Sequence, residues 1–262
     1  MIRVLSALVL LPIVVGAVWF LPPVATLVLA LAAAALAFVE YAAIAAALDT
    51  HIPRIVSGGA VLATCAALGS ASIPLDVVLL TAVITIGALA VGGGHPSPAV
   101  LRDAAAAILP ILYIGLPLGA LAAVRAIGGR EALLLLMGTI VISDSAQYYT
   151  GRALGRRPLA PAISPKKTLE GAIGGMVIGT LAFVAGARMI FPARSMLVGV
   201  LTGASIAALG IVGDLFESLL KRSAGVKDSG TLIPGHGGVL DRIDSWLFAA
   251  PVYYVFVRYV QL

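Results

Sequence analysis

Charge is scarce in this chain: only 11% of its 262 residues are Asp, Glu, Lys or Arg. A water-soluble domain carries about 25% charged residues, so no polar shell is left to face water and a soluble globular fold is excluded. Cysteine is nearly absent. The single thiol, Cys65, lies in an apolar run, which excludes an intrachain disulfide and suits a small core residue better than a reactive group. Aromatic residues make up 6%, and no basic–aromatic platform of the kind that binds nucleic acid is present. The formal net charge of +5 is therefore assigned to membrane topology and anionic substrates, with no nucleic-acid partner. No GxxxxGK[ST] element occurs, which argues against a P-loop mechanism.

Hydrocarbon is abundant instead, with 61% hydrophobic residues and a mean hydropathy of +1.09. A spanning helix needs about 20 apolar residues. On that scale nine spans are expected, near 4–20, 24–47, 55–72, 75–92, 104–124, 132–150, 171–187, 196–213 and 246–260. Breaks fall at Pro22-Pro23, Gly69–Pro74, Gly92–Pro96 and Arg125–Glu131. The opening stretch resembles a signal peptide, but its apolar run exceeds a usual h-region and no clear cleavage site precedes Pro22, so it is read as a retained first span. The expected class is all-α, a polytopic integral membrane helical protein forming one membrane domain over 1–262. Within it, 1–131 supplies N-terminal spans, and 132–262 supplies a catalytic part with polar loops at 152–170 and 214–245.

Nine spans place Arg3, Arg54, Arg102, Arg152, Arg156, Arg157, Lys166, Lys167, Lys221, Arg222, Lys227 and Arg242 on one side, 12 of the 17 basic residues. The other five, Arg125, Arg130, Arg188, Arg194 and Arg258, fall opposite. Basic loops stay inside, so the N-terminus and both polar loops are expected in the cytoplasm, where nucleotides are available.

The densest polar stretch is DLFESLLKRSAGVKDSGTLIPGHGGVLDRIDS, residues 214 to 245. If the eighth span continues as a helix, Asp214, Glu217, Ser218 and Lys221 share one face. Two carboxylates, a hydroxyl and an ammonium can hold a hard cation beside a phosphate, and magnesium favours one or two carboxylates plus waters and substrate phosphates. The bland alternative is a solvated helix end with a Glu217–Lys221 ion pair. A second acidic pair, Asp241 and Asp244, flanks Arg242 at the entry to the ninth span. Between the pairs, Pro234-Gly235-His236-Gly237-Gly238 exposes backbone amides that can form an anion nest, where His236 would donate to a phosphate oxygen. His51 and His95 have no such surroundings and are read as loop residues.

Upstream, Ser164-Pro165-Lys166-Lys167 reads as a helix start with Ser164 as N-cap. Cations in a first turn oppose the helix dipole, and a bound anion would relieve the conflict, so Lys166 and Lys167 are candidates for a triphosphate. Asp144, Gln147, Tyr148 and Gly151 share a helical face, and an acid inside a span is a functional candidate by default. Glu40, within the second span, is either functional or paired inside the bundle.

The spacing from Ser218 through Lys221-Arg222, Lys227-Asp228, Pro234-x-His236-Gly237-Gly238 and Asp241-Arg242-x-Asp244 closely resembles the signature of the phosphatidate cytidylyltransferases, the CDP-diacylglycerol synthases. The resemblance extends to Ser164–Gly171, and more loosely to Asp144–Gly155, where Gln147 stands in place of the family's common alanine. It implies conversion of CTP and phosphatidate to CDP-diacylglycerol and pyrophosphate in membrane lipid, by a homodimer in the bacterial inner membrane. It implies Asp214 and Asp241 as magnesium ligands with Glu217 in support, and a two-cation centre would clamp attacking and leaving oxygens. Lys221, Arg222, His236 and Asp244 are expected at the reacting groups. Ser164, Lys166, Lys167, Ser218, Lys227, Gly237, Gly238, Arg242 and Asp144 are expected to bind substrate. CDP-archaeol synthases and CTP-dependent polyprenol kinases are the nearest alternatives, and a transporter is the alternative from another class. The Asp-Gly-x-x-Ala-Arg pattern of CDP-alcohol phosphotransferases is absent.

The charge bias generates a direct test. With Cys65 replaced, single cysteines placed at 152–170 or 216–245 are expected to be shielded from an impermeant thiol reagent in intact cells. Labelling from outside would reverse the topology.

Overall fold

The computed structural model describes residues 12–94, 96–192, 195–232 and 237–260. It is overwhelmingly helical. Helix α1 covers 12–20, α2 Pro23–Ala47, α3 Arg54–Ser70, α4 Leu75–Gly92, α5 Ala99–Pro110 and α6 Leu116–Leu154. A short antiparallel pair follows, β1 Pro158–Ala160 and β2 Ser164–Thr168, before α7 Leu169–Ile190, α8 Met196–Ser223 and α9 Leu240–Val255. Single π-turns continue α5 at Ile111–Gly115 and α9 at Phe256–Val260.

Among the described residues, five helical stretches are long and apolar enough to cross a membrane: Pro23–Ala47, Leu75–Gly92, Ala99–Leu154, Leu169–Ile190 and Met196–Ser223. The 56-residue stretch Ala99–Leu154 covers two of the nine spans expected, while Arg54–Ser70 is shorter and apolar. The first eleven residues of the chain lie outside the described ones.

Local chemistry explains most boundaries. Pro23 begins α2 with Pro22 as its N-cap, where a missing N–H is harmless. Ala71, with φ of 53°, closes α3 in the left-handed region. Pro110 removes one backbone donor inside the α5 run, and the ladder widens into the π-turn just after it. The break expected at Arg125–Glu131 is present as a kink between two helices within the α6 run. Only Gly129 leaves helical geometry (φ 81°, ψ −179°), a conformation open to glycine alone.

Two corrections concern the polar loops. The stretch read as a loop over 214–245 is helical at both ends, since α8 runs to Ser223 and α9 begins at Leu240. The Ser164–Lys167 stretch is strand β2, with Ala160 opposite Ser164 and Pro158 opposite Thr168. The helix starts later, at Leu169, where the Thr168 side chain accepts from Gly171 N–H at 3.2 Å. Glu170 then occupies the first turn, so an acid meets the dipole and the two lysines precede the helix.

The described residues group into two compact units, Met1–Ala126 with Leu220–Arg242, and Ile127–Leu219 with Ile243–Leu262. In the first, α3 meets the π-turn and the start of α6 through glycine. A Cβ on Gly115 would lie 2.6 Å from the Val61 carbonyl oxygen, and one on Gly119 would lie 2.8 Å from that of Cys65. Small residues permit such backbone approach in lipid, where dispersion rather than water exclusion holds helices together. Tyr41 Oη donates to the Ala106 carbonyl at 3.0 Å. The second unit centres on Phe183, Tyr253 and Phe256, with ring centroids 5.8 to 5.9 Å apart, and Tyr253 Oη donates to Ala132 O at 2.9 Å. Large apolar side chains such as Val28, Ile84, Leu181 and Leu201 are exposed, as lipid-facing positions require.

Gly119→Leu is expected to destabilise the protein in detergent by about 1–3 kcal/mol through overpacking. Gly59→Ala, where an added Cβ meets nothing within 4 Å, should leave the melting temperature unchanged or raised. Equal melting by both variants would refute the close-approach account.

Candidate active site

In the second unit, four elements contribute to one polar cluster. Lys167 of β2 forms an ion pair with Asp214 of α8 at 2.5 Å, and Ser218, one turn on, donates to Asp214 at 3.4 Å. Asp144 of α6 accepts from Gln147 Nε2 at 2.9 Å. Asp244, in the first turns of α9, has Asp214, Asp144 and Lys167 as its charged neighbours. Strand geometry places Lys167 here, because neighbouring residues of a strand point to opposite faces: Lys167 is half-buried and Lys166 exposed.

Tight packing holds these elements. A Cβ on Gly213 would collide with the Asp244 backbone, with the carbonyl carbon 3.3 Å away, so only glycine lets α8 lie this close to α9. Ser143 Oγ donates to Gly175 O at 3.1 Å, joining α6 to α7. The 156–157 turn is pinned by Glu170, which accepts from the backbone N–H of Arg156 at 3.0 Å and Arg157 at 3.2 Å.

The first unit holds a second cluster. Lys221, 8% exposed, pairs with Asp241 Oδ1. Asp241 Oδ2 accepts from Ser229 N–H and Ser229 Oγ, both at 2.9 Å, and from Gly238 N–H at 2.8 Å. Burial works against ionisation of Asp241, but the Lys221 ammonium and the backbone donors outweigh it and hold the carboxyl below its usual range. Gly237 has φ of 82°. Glu40, undecided in the sequence, reaches this cluster from α2: it accepts from Ser229 Oγ, Val239 N–H and Leu240 N–H at 2.8 to 2.9 Å. The available signal was a single acid inside an apolar span.

The structure thus brings Asp144, Lys167, Asp214, Ser218 and Asp244 together in one unit, and Lys221, Gly237, Gly238 and Asp241 in the other. Glu217 is fully buried on α8. Lys166, Arg222, Lys227 and Arg242 are exposed, and Ser164 is half-buried on β2. His236, and His95 with it, lies outside the described residues.

The sequence matches the Cytidylyltransferase family over residues 1–260. The chain belongs to this family. Among curated proteins it is 38% identical over 191 residues to a phosphatidate cytidylyltransferase of Helicobacter pylori strain J99, a match covering 72% of this chain and 67% of that protein. It is 37% identical over 196 residues to one from Thermotoga maritima, covering 72% and 70% respectively. A Synechocystis protein of the same name is 47% identical over 129 residues, or 49% of this chain and 44% of that one. Membership of the Cytidylyltransferase family makes the chain a nucleotidyltransferase.

Magnesium would need carboxylate donors from these clusters. Among the described residues, no three His, Cys, Asp or Glu side chains gather closely enough to hold an ion by themselves. The Asp144, Asp214 and Asp244 cluster nonetheless carries three carboxylates against Lys167, and that surplus fits a cation arriving with waters and substrate phosphates as its other ligands. In Asp241, Oδ2 already takes two backbone N–H donors and shares the single Ser229 hydroxyl hydrogen with Glu40.

Burial first, and then the Asp214 carboxylate, push Asp244 up to about 7. The folded protein therefore retains a proton that the unfolded chain releases near the ordinary value of 3.8. The contribution of Asp244 to stability is full below that value and is lost as pH rises through about 7. In protein stripped of divalent cations, the melting temperature should decline across this window, and Asp244→Asn should flatten the decline. An unchanged profile in the variant would show that Asp244 is not the titrating group.

Proposed function

We propose that the chain joins CTP to phosphatidate, forming CDP-diacylglycerol and releasing pyrophosphate. The observation that carries this reading is Lys167 set among Asp144, Asp214 and Asp244, a site of mixed charge on apolar helices. The relatives named above, which share the phosphatidate cytidylyltransferase name, supply the substrate class.

The lipid phosphate is a monoester, ionised near neutral pH, so its oxygen attacks without a strong general base. Attack on the α-phosphorus of CTP forms one P–O bond as the bond to the β-phosphate bridging oxygen breaks, and pyrophosphate carries away the electron pair. Mutual repulsion of two polyanions is the main barrier. Lys167 and the neighbouring Lys166 would bind the triphosphate, and Lys221 would neutralise charge in its own cluster. Asp214, with Asp144 and Asp244 beside it, would hold magnesium, which would screen the phosphates and stabilise the leaving pyrophosphate. The charge bias supports a cytoplasmic site and a cytoplasmic N-terminus.

Separately labelled CTP distinguishes the reactions. With purified protein, magnesium and phosphatidate, α-phosphate label should enter the lipid while γ-label leaves as pyrophosphate. EDTA should stop both. Lys167→Ala should lower turnover by at least about tenfold, equivalent to about 1.4 kcal/mol of transition-state stabilisation. Label from γ-CTP appearing in added polyprenol would instead identify a kinase, and preferential use of an ether-lipid phosphate would identify an archaeol synthase.

A further inference from the structure

Glu40 is 7% exposed within the apolar helix α2, and the reaction above assigns it nothing. Its Oε1 accepts from Val239 N–H at 2.8 Å, and its Oε2 from Leu240 N–H at 2.8 Å and Ser229 Oγ at 2.9 Å. Val239 and Leu240 stand at the start of α9, where backbone N–H groups lack partners inside the helix. A carboxylate from α2 therefore caps α9 across about 200 residues of sequence.

The contacts reach the neighbouring Asp241–Lys221 pair through one side chain. Ser229 Oγ lies 2.9 Å from Glu40 Oε2 and 2.9 Å from Asp241 Oδ2, so the hydroxyl stands between the two carboxylates. Two glycines of the same segment owe their identity to Glu40. A Cβ at Gly230 would come 2.9 Å from Oε1, and a Cβ at Gly238 would collide with Oε2. Lys227, Asp228, Thr231 and Leu232 are exposed, so polar contacts rather than an apolar core set the path of this segment.

We propose that Glu40 is a positioning residue for cytidylyl transfer: it fixes Ser229, Val239 and Leu240 and through them the Asp241–Lys221 pair. The proposal rests on the cytidylyltransferase reading given above. Glu40 touches no reacting atom and acts through the segment it holds.

The test uses the full chain in detergent with the α-labelled CTP assay. Glu40→Gln keeps the shape but turns an NH2 group towards an N–H donor. At saturating CTP and phosphatidate its kcat should fall at least about tenfold, while the melting temperature stays within about 4 °C of wild type. Hydrogen exchange at the Ser229, Val239 and Leu240 amides should accelerate. A kcat within about twofold of wild type beside a lowered melting temperature would overturn the proposal, leaving Glu40 a structural staple, and unchanged exchange would overturn it too. Should Glu40→Gln fail to fold, Ser229→Ala carries the test: a kcat loss of about threefold or more is expected, and unchanged kcat overturns it. A wild-type protein that transfers no label overturns the catalytic claim through failure of the underlying reading, whereas active wild type with unaffected variants overturns the positioning claim alone.

Discussion

A carboxylate buried in an apolar helix must find donors or lose its charge, and Glu40 finds them in the backbone amides of Val239 and Leu240 and the hydroxyl of Ser229. Much of the first unit's polar architecture depends on that constraint. It brings residues far downstream in sequence back against α2, sets glycine at 230 and 238, and supports the donors that engage Asp241. Asp241 in turn neutralises Lys221, a cation that could not otherwise be buried cheaply. Each group satisfies the next.

The second unit follows a different logic. Its charges are not balanced: Asp144, Asp214 and Asp244 share the neighbourhood of Lys167, and burial, with the Asp214 carboxylate beside it, makes proton binding favourable at Asp244. Its construction requires small residues at the contacts, as at Gly213 against Asp244 and Gly175 against Gln147 and Ser143, because a polar cluster on lipid-facing helices can be held only if the backbones approach closely.

The β1–β2 pair decides where two lysines of a helical protein stand. Two lysines in a helical first turn would have opposed the dipole. As part of a strand they precede it, the dipole receives Glu170 instead, and alternation turns Lys167 towards Asp214 while Lys166 faces outward. The cations are thereby placed outside the first helical turn, with Lys167 paired to Asp214.

Helical class, membrane character, most helix boundaries and the residues of the polar signature were legible in the sequence. These depend on local properties: apolar run length, proline and glycine punctuation, and a charged motif conspicuous against hydrocarbon. The strand at Ser164–Thr168 was not legible, because Ser-Pro begins a helix and enters an extended segment equally well, and only pairing with Pro158–Ala160 decided between them. The break near Arg125–Glu131 was legible, but not that a single residue, Gly129, makes it as a kink. Glu40 stood out as an acid among alanines, but its role was invisible, since the donors that satisfy it lie up to 200 residues away. Sequence determines which residues can ionise and which segments prefer lipid; tertiary structure decides which of those charges meet, because the energy of a buried charge depends on its neighbours in space.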